Sequence, residues 1–123
     1  MARISEYIEL ACVGCQYQKE NNDLFSSKEV PDKTGVIHLK DLRIVAETDN
    51  KYNPNALAIM YKGKHKLGYI PDDSIEEARD FLDRCGPYTD FDIILLSSSV
   101  IEDDDKILRW FTFEINASGT VKD

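Results

Sequence analysis

The sequence holds no apolar run approaching the roughly 18 residues that a membrane span requires. Its first residues, Met1-Ala2-Arg3-Ile4-Ser5-Glu6, lack the apolar core of an export signal. These two absences predict a cytoplasmic chain with no membrane partner. Basic residues are scarce: 15 Lys and Arg stand against 23 Asp and Glu, a net charge of −8. Strong nonspecific binding of duplex nucleic acid rests on cations that neutralise phosphates and is not expected here; a local basic patch can still meet a strand. Cysteine is limited to Cys12, Cys15 and Cys85. An odd count without an export signal predicts free thiols, and leaves the Asn116-Ala117-Ser118 glycosylation triplet without meaning. The six glycines and four prolines make no phosphate-binding loop, repeat or linker. At 123 residues the chain supports one domain, 1–123, with a modest core over about 7–116.

Catalytic chemistry is equally thin. His38 and His65 are the only histidines, and no spacing ties either to a cysteine as base to nucleophile. Cys12-Val13-Gly14-Cys15 has the C-x-x-C spacing of a metal knuckle, but no second C-x-x-C completes a ligand set. On a regular strand, residues i and i+3 point to opposite faces, so this pair converges only if the chain bends at Gly14. Core thiols are the simpler reading, and neither metal nor cofactor is expected. Carboxylate clusters at Asp72-Asp73 and Glu102-Asp103-Asp104-Asp105 read as a helix start and a solvated turn. The expectation is a protein that is not an enzyme.

What is present is a series of short strands. Tyr7 to Gln18 reads as a first strand: Ile8, Leu10 and Cys12 share one face, Val13, Cys15 and Tyr17 the other, with a bulge expected beside Gly14. Lys19 to Thr34 reads as a long polar loop holding at most a short helical turn anchored by Leu24 and Phe25. Gly35 to Ala46 gives a second strand, and Ala56 to Tyr61 a third, apolar enough to be buried on both faces. Gly63 sits where a hairpin needs positive φ before a short fourth run ending at Pro71. Ile75, Ala78, Phe81, Leu82 and Cys85 follow helical spacing, with Ser74 and Glu77 as a capping box and Gly86-Pro87 as the stop. Tyr88 to Val100 and Ile107 to Ile115 complete six strands. Phe111, Phe113 and Ile115 point inward in the last, and a polar tail from Ala117 is expected to fray. The fold class is mainly β (α+β), with one main flanking helix over about 74–85 and a possible short helical turn besides.

The densest polar stretch lies between the second and third strands: Asp49-Asn50-Lys51-Tyr52-Asn53-Pro54-Asn55. Asx side chains and Pro54 favour turns here. Tyr17, Tyr52 and Tyr69 offer faces for stacking unpaired bases, worth roughly 1–3 kcal/mol per base. Asn50 and Asn53 can donate and accept at base edges or sugar hydroxyls. Lys62, Lys64, His65 and Lys66 gather positive charge on the hairpin. The plainer alternative is that the tyrosines pack, the asparagines brace their own loop, and the lysines guard an edge.

The pattern Asp49-Asn50-x-Tyr52-Asn53-Pro54-Asn55-Ala56-Leu57-Ala58-Ile59, followed by Leu67-Gly68-Tyr69-Ile70-Pro71, resembles the HIRAN domain over roughly Cys12 to Leu96. That family occurs on fork-remodelling ATPases of Swi/Snf type and as stand-alone small proteins. The resemblance implies a small six-stranded OB-like β-barrel. It also implies a non-catalytic nucleic-acid-binding module that takes the 3′ end of single-stranded DNA. Tyr17, Asn50 and Tyr52 match a fork-remodelling relative in type. Gln16 stands where that relative has Arg, Asn53 where it has an acid that meets the terminal hydroxyl, and Tyr69 where it has an imidazole. In this reading Tyr17 and Tyr52 stack bases, Asn50 and Asn53 hold sugar or base edges, and Lys62, Lys64 and Lys66 approach the backbone. The alternative from another class is a protein–protein interaction adaptor that uses the same cleft or the Trp110 face.

Overall fold

The computed structural model describes residues 2–28, 31–85 and 90–121. β1 (Ala2–Cys12) leads through a 3-10 helix (Cys15–Gln18) into α1 (Lys19–Lys28). β2 (Leu42–Ala46), β3 (Leu57–Tyr61) and β4 (His65–Tyr69) follow. A 3-10 turn (Asp72–Ser74) then opens α2 (Ile75–Cys85), and the long strands β5 (Asp90–Asp103) and β6 (Lys106–Val121) close the chain. The protein is mainly β, and the described residues form two three-stranded sheets and two α-helices.

Among the described residues, the six strands do not close into the expected barrel. All pairings are antiparallel, in the orders β1-β6-β5 and β2-β3-β4. Two seams join the sheets. At one, Val13 and Tyr69 exchange backbone bonds of 2.9 and 3.0 Å. At the other, the segment 37–39 lies on β5: Leu39 N–H donates to Ile93 C=O at 2.7 Å and Leu95 N–H to Ile37 C=O at 3.0 Å. Each seam is only about a residue wide because the chain turns away immediately. Gly14, at φ 76°, ends β1 at the first; the stretch before Leu42 departs at the second.

The core lies where these layers meet. Ile8, Leu10, Phe113 and Ile115 from one sheet join Ile59, Tyr61 and Leu67 from the other, with Ala78 and Phe81 of α2. Phe25 of α1 packs against both sheets, its ring centroid 5.3 Å from those of Tyr61 and Phe111. β3 is buried along nearly its whole length, as its apolar composition predicts. β6 alternates: Phe111, Phe113, Ile115 and Ala117 are buried, while Trp110, Thr112 and Glu114 are half-buried.

Several expectations are corrected. The first strand stops at Cys12 instead of reaching Gln18, because the left-handed Gly14 starts a helix where a bulge was anticipated. The polar stretch after it contains a ten-residue helix. That helix has no continuous apolar stripe to betray it; it is docked by Phe25 and by a buried amide. Buried Asn22 donates through Nδ2 to the carbonyls of Gln18 (2.9 Å), Leu67 (2.9 Å) and Cys15 (3.3 Å), and Asn21 donates to Lys66 C=O at 2.8 Å. β2 begins at Leu42, not Gly35, since only His38 of the preceding stretch pairs with a strand. The capping box is not made: a 3-10 turn precedes α2, and the Ser74 hydroxyl meets Asp73 instead. Residues from Ala117 to Val121 do not fray but continue β6, because the N-terminal half of β1 pairs with them. The expected helix stop at Gly86-Pro87 and strand start at Tyr88 lie outside the described residues.

Candidate nucleic-acid interface

A cleft of about 700 Å³ opens where the Gly14 turn, the polar loop after β2 and the segment following β4 come together. Tyr17, Asn50, Tyr52, Asn53 and Tyr69 all line it. The reason is local. Gly14 adopts φ 76°, ψ 15°, which favours a residue without Cβ, and Tyr17 N–H donates back to Gly14 C=O at 3.1 Å. That tight turn lifts Tyr17 off the sheet, leaving it 81% exposed.

The opposite wall is built by Asx geometry. Asn50 Oδ1 accepts from Tyr52 N–H (2.9 Å) and Asn53 N–H (3.0 Å), and Asn53 Oδ1 accepts from Asn55 N–H (2.9 Å). These bonds shape the loop so that Tyr52 projects 99% exposed. A fully solvated aromatic ring gains nothing from core packing.

Beneath the loop lies a polar brace. Glu47 forms a close ion pair with Lys66 and accepts from Tyr69 Oη at 2.9 Å and Asn50 Nδ2 at 3.1 Å. Lys66 Nζ also donates to Tyr69 Oη at 3.0 Å. The Lys66 ammonium, then Asn50 and Tyr69, hold the Glu47 carboxyl below its ordinary range, while Glu47 raises Lys66. Both asparagines thus serve the loop itself, as the plainer alternative held, while also facing the cleft.

The lysines sit elsewhere. Lys66 is committed to Glu47 behind the loop. Lys62, at φ 55° in the hairpin turn, lies 5.4 Å from the Tyr61 ring and lines a separate hollow with Lys40 and Arg43. Lys64 is exposed on the same turn and does not line the cleft. Among the described residues, no lysine or arginine lines the cleft.

Two residues there escaped sequence reasoning. Asp72 lines the cleft and accepts from Asn53 Nδ2 at 3.2 Å. In the sequence it reads as part of a helix start, and nothing in the linear spacing joins it to a loop 19 residues away. Arg79 of α2 donates through Nη2 to Asn55 C=O at 3.2 Å and lines an adjoining hollow of about 430 Å³ on the other side of Asn53 and Asp72.

C-x-x-C spacing does bring Cys12 and Cys15 together, with sulfurs 3.6 Å apart, because of the bend at Gly14. Among the described residues no group of three or more His, Cys, Asp or Glu is placed to hold a metal ion. Nor is any described helix long and apolar enough to cross a membrane.

Comparison with known proteins adds the following. A solved crystal structure of a protein from Lactobacillus plantarum is similar, with a TM-score of 0.49 and 16% sequence identity, covering 93% of this chain and 98% of that one. No curated protein matches. The family model of the HIRAN domain matches residues 5–106. That match spans most of the chain, so this protein belongs to the HIRAN domain family, whose members are generally nucleic-acid-binding modules.

Proposed function

We propose that the protein is a non-catalytic module that takes the 3′ end of single-stranded DNA in the cleft between Tyr17 and Tyr52. The observation that carries this reading is the exposure of those two rings on either side of a cavity that also presents amides. Rings displayed in this way suit stacking with unpaired bases, which any sequence can supply. Asn50, Asn53 and Tyr69 offer polar atoms to a sugar or base edge. Asp72, bonded to Asn53, supplies a carboxylate beside the position where the fork-remodelling relative has its own. It is suited to accept a bond from a terminal hydroxyl. A carboxylate there also disfavours a 3′ phosphate, so a free hydroxyl end is selected by repulsion as well as by attraction. Arg79, in the adjoining hollow, is the cation placed to meet a backbone phosphate. Lys62 and Lys64 contribute only a distant field.

The test is fluorescence anisotropy with a short labelled oligonucleotide carrying either a free or a phosphorylated 3′ end. Binding of the free end, weakened by phosphorylation and by Tyr52→Ala, is the expected result. No binding at about 100 µM, the weak end of nonspecific affinity, would overturn the proposal. Equal binding of both ends would overturn its 3′ specificity.

A second reading, as a protein-interaction adaptor, draws on one observation. The β5–β6 hairpin exposes Val100, Ile101, Ile107 and Leu108, each about half accessible. Association with a protein partner that is insensitive to salt and to Tyr52→Ala would favour it.

A further inference from the structure

The Cys12–Cys15 pair has no part in the DNA reading, yet its geometry is unusual for core thiols. Both side chains are completely buried, and their sulfurs lie 3.6 Å apart. The Cys15 sulfur also lies 3.4 Å from the Cys12 carbonyl oxygen. The left-handed Gly14 creates this approach, since an extended chain would have sent the two thiols to opposite faces. β4 holds it from the other side: a Cβ added at Gly68 would come within 2.8 Å of Cys12 Sγ and 2.3 Å of Val13 O.

We propose that Cys12 and Cys15 are a redox modification site that closes an intramolecular disulfide when the protein meets a small peroxide, and that closure reshapes the turn carrying Tyr17. The sulfurs need approach by only about 1.5 Å to reach bonding distance. The two thiols share their environment unequally. Burial pushes Cys12 up; the hydrogen bond from Cys12 holds Cys15 down, with Arg109 adding to the effect. In the proposed step Cys15 acts as the nucleophile, a role that trapping its sulfenic acid in Cys12→Ser tests. Its thiolate attacks one peroxide oxygen and breaks the O–O bond, giving Cys15 sulfenic acid and hydroxide. Cys12 sulfur then attacks Cys15 sulfur and expels the sulfenic oxygen as hydroxide. The proton from the Cys12 thiol and the one lost from Cys15 convert the two hydroxides to water. In sum, two thiols and one hydrogen peroxide give one disulfide and two waters. A small oxidant suits thiols with no exposed surface. Cys85 cannot substitute. It is buried on α2, where desolvation and Glu6 raise it away from the thiolate.

Val13 and Gly14 sit between the two sulfurs in the chain and line the cleft, so the closing movement falls on the cleft wall. This consequence is structural and holds whether or not the cleft takes DNA.

The test treats the folded full-length protein with one equivalent of hydrogen peroxide, then alkylates it under denaturing conditions and maps its peptides. The expected result is loss of two of the three alkylatable thiols, a Cys12–Cys15 link, and alkylated Cys85. In Cys12→Ser the reaction stops at a Cys15 sulfenic acid that dimedone traps. Amide shifts of Gly14 and Tyr17 move on oxidation of the wild type, and reducing agent returns them. Three thiols still alkylatable, or oxidation confined to Cys85, would overturn the site. A link without movement at Gly14 and Tyr17 would overturn the reshaping.

Discussion

Two polar networks hold loops against this framework, and they are built from different cations. Under the cleft, Glu47 is gripped by Lys66, Tyr69 and Asn50, in a half-buried setting. At the other seam, His38 bridges two carboxylates, Nδ1 to Asp92 and Nε2 to Asp32, both at 2.9 Å, in a more exposed setting. Asp32 is already satisfied by Thr34 and by Val36 N–H, which with His38 hold it below the usual carboxylate range. The lysine network keeps its charges through the physiological range. The histidine network is the one that deprotonation of its cation breaks, because a neutral imidazole has only one N–H to offer two acceptors. The loop bearing the candidate site therefore loses its brace as pH falls, whereas the seam on the far side loses its bridge as pH rises.

The largest expected effect tests the framework that the cleft brace depends on. Gly68→Ala places a Cβ 2.3 Å from the Val13 carbonyl oxygen, a backbone atom that cannot step aside. It should cost about 3 kcal/mol in urea denaturation and loosen the Val13–Tyr69 seam. A loss under about 0.5 kcal/mol would show that the seam is soft.

Next, Tyr52→Ala separates display from packing. With the ring fully solvated, denaturation should shift by less than about 0.5 kcal/mol. Affinity for single-stranded DNA should fall by about 1–3 kcal/mol, the worth of one stacked base. Equal losses in both measurements would make Tyr52 a packing residue.

Glu47→Gln weakens the brace itself and should cost about 1–2 kcal/mol, since charged hydrogen bonds are replaced by neutral ones. The pH sign follows from its depressed folded pKa. Its contribution is present above the ordinary value of 4.5 and is lost as pH falls through the folded value. Thermal melts of wild type and variant should therefore converge in acid.

The smallest effect is at His38, and it has the opposite sign. Bonds to Asp92, then Asp32, raise its pKa above 6.5. Its stabilisation is complete below that value and is lost as pH rises through the folded pKa. Wild-type Tm should therefore step down slightly on the alkaline side of 6.5, and His38→Gln should remove the step. An unchanged step in the variant would assign it to another group.

Legibility in the sequence followed the strength of the periodic signal. β3, α2 and the inward face of β6 read correctly because burial there is apolar and regular: Ile59, Phe81 and Phe113 are nearly inaccessible where the pattern placed them. For α1 only a short turn anchored by Leu24 and Phe25 was legible; its full length was not, because Asn22, bonded to backbone carbonyls, holds it without an apolar stripe. The continuation of β6 was missed because polar residues such as Ser118 carry no strand signal until Ser5 is seen opposite. In the cleft, Asn50 and Tyr52 were legible from turn chemistry. Asp72 in the cleft and Arg79 in the adjoining hollow were not, because their partners lie 19 and 24 residues away.

Taken alone, the sequence determined the family, the mainly β character and the identity of the polar loop, because these reside in local spacing and turn preference. Whether the described strands close into a barrel, that Lys66 is committed to Glu47, and that Cys12 meets Cys15 were decided only in three dimensions. Each depends on where a left-handed glycine sends the chain and on which distant group reaches a charge first; neither is a property of neighbouring residues.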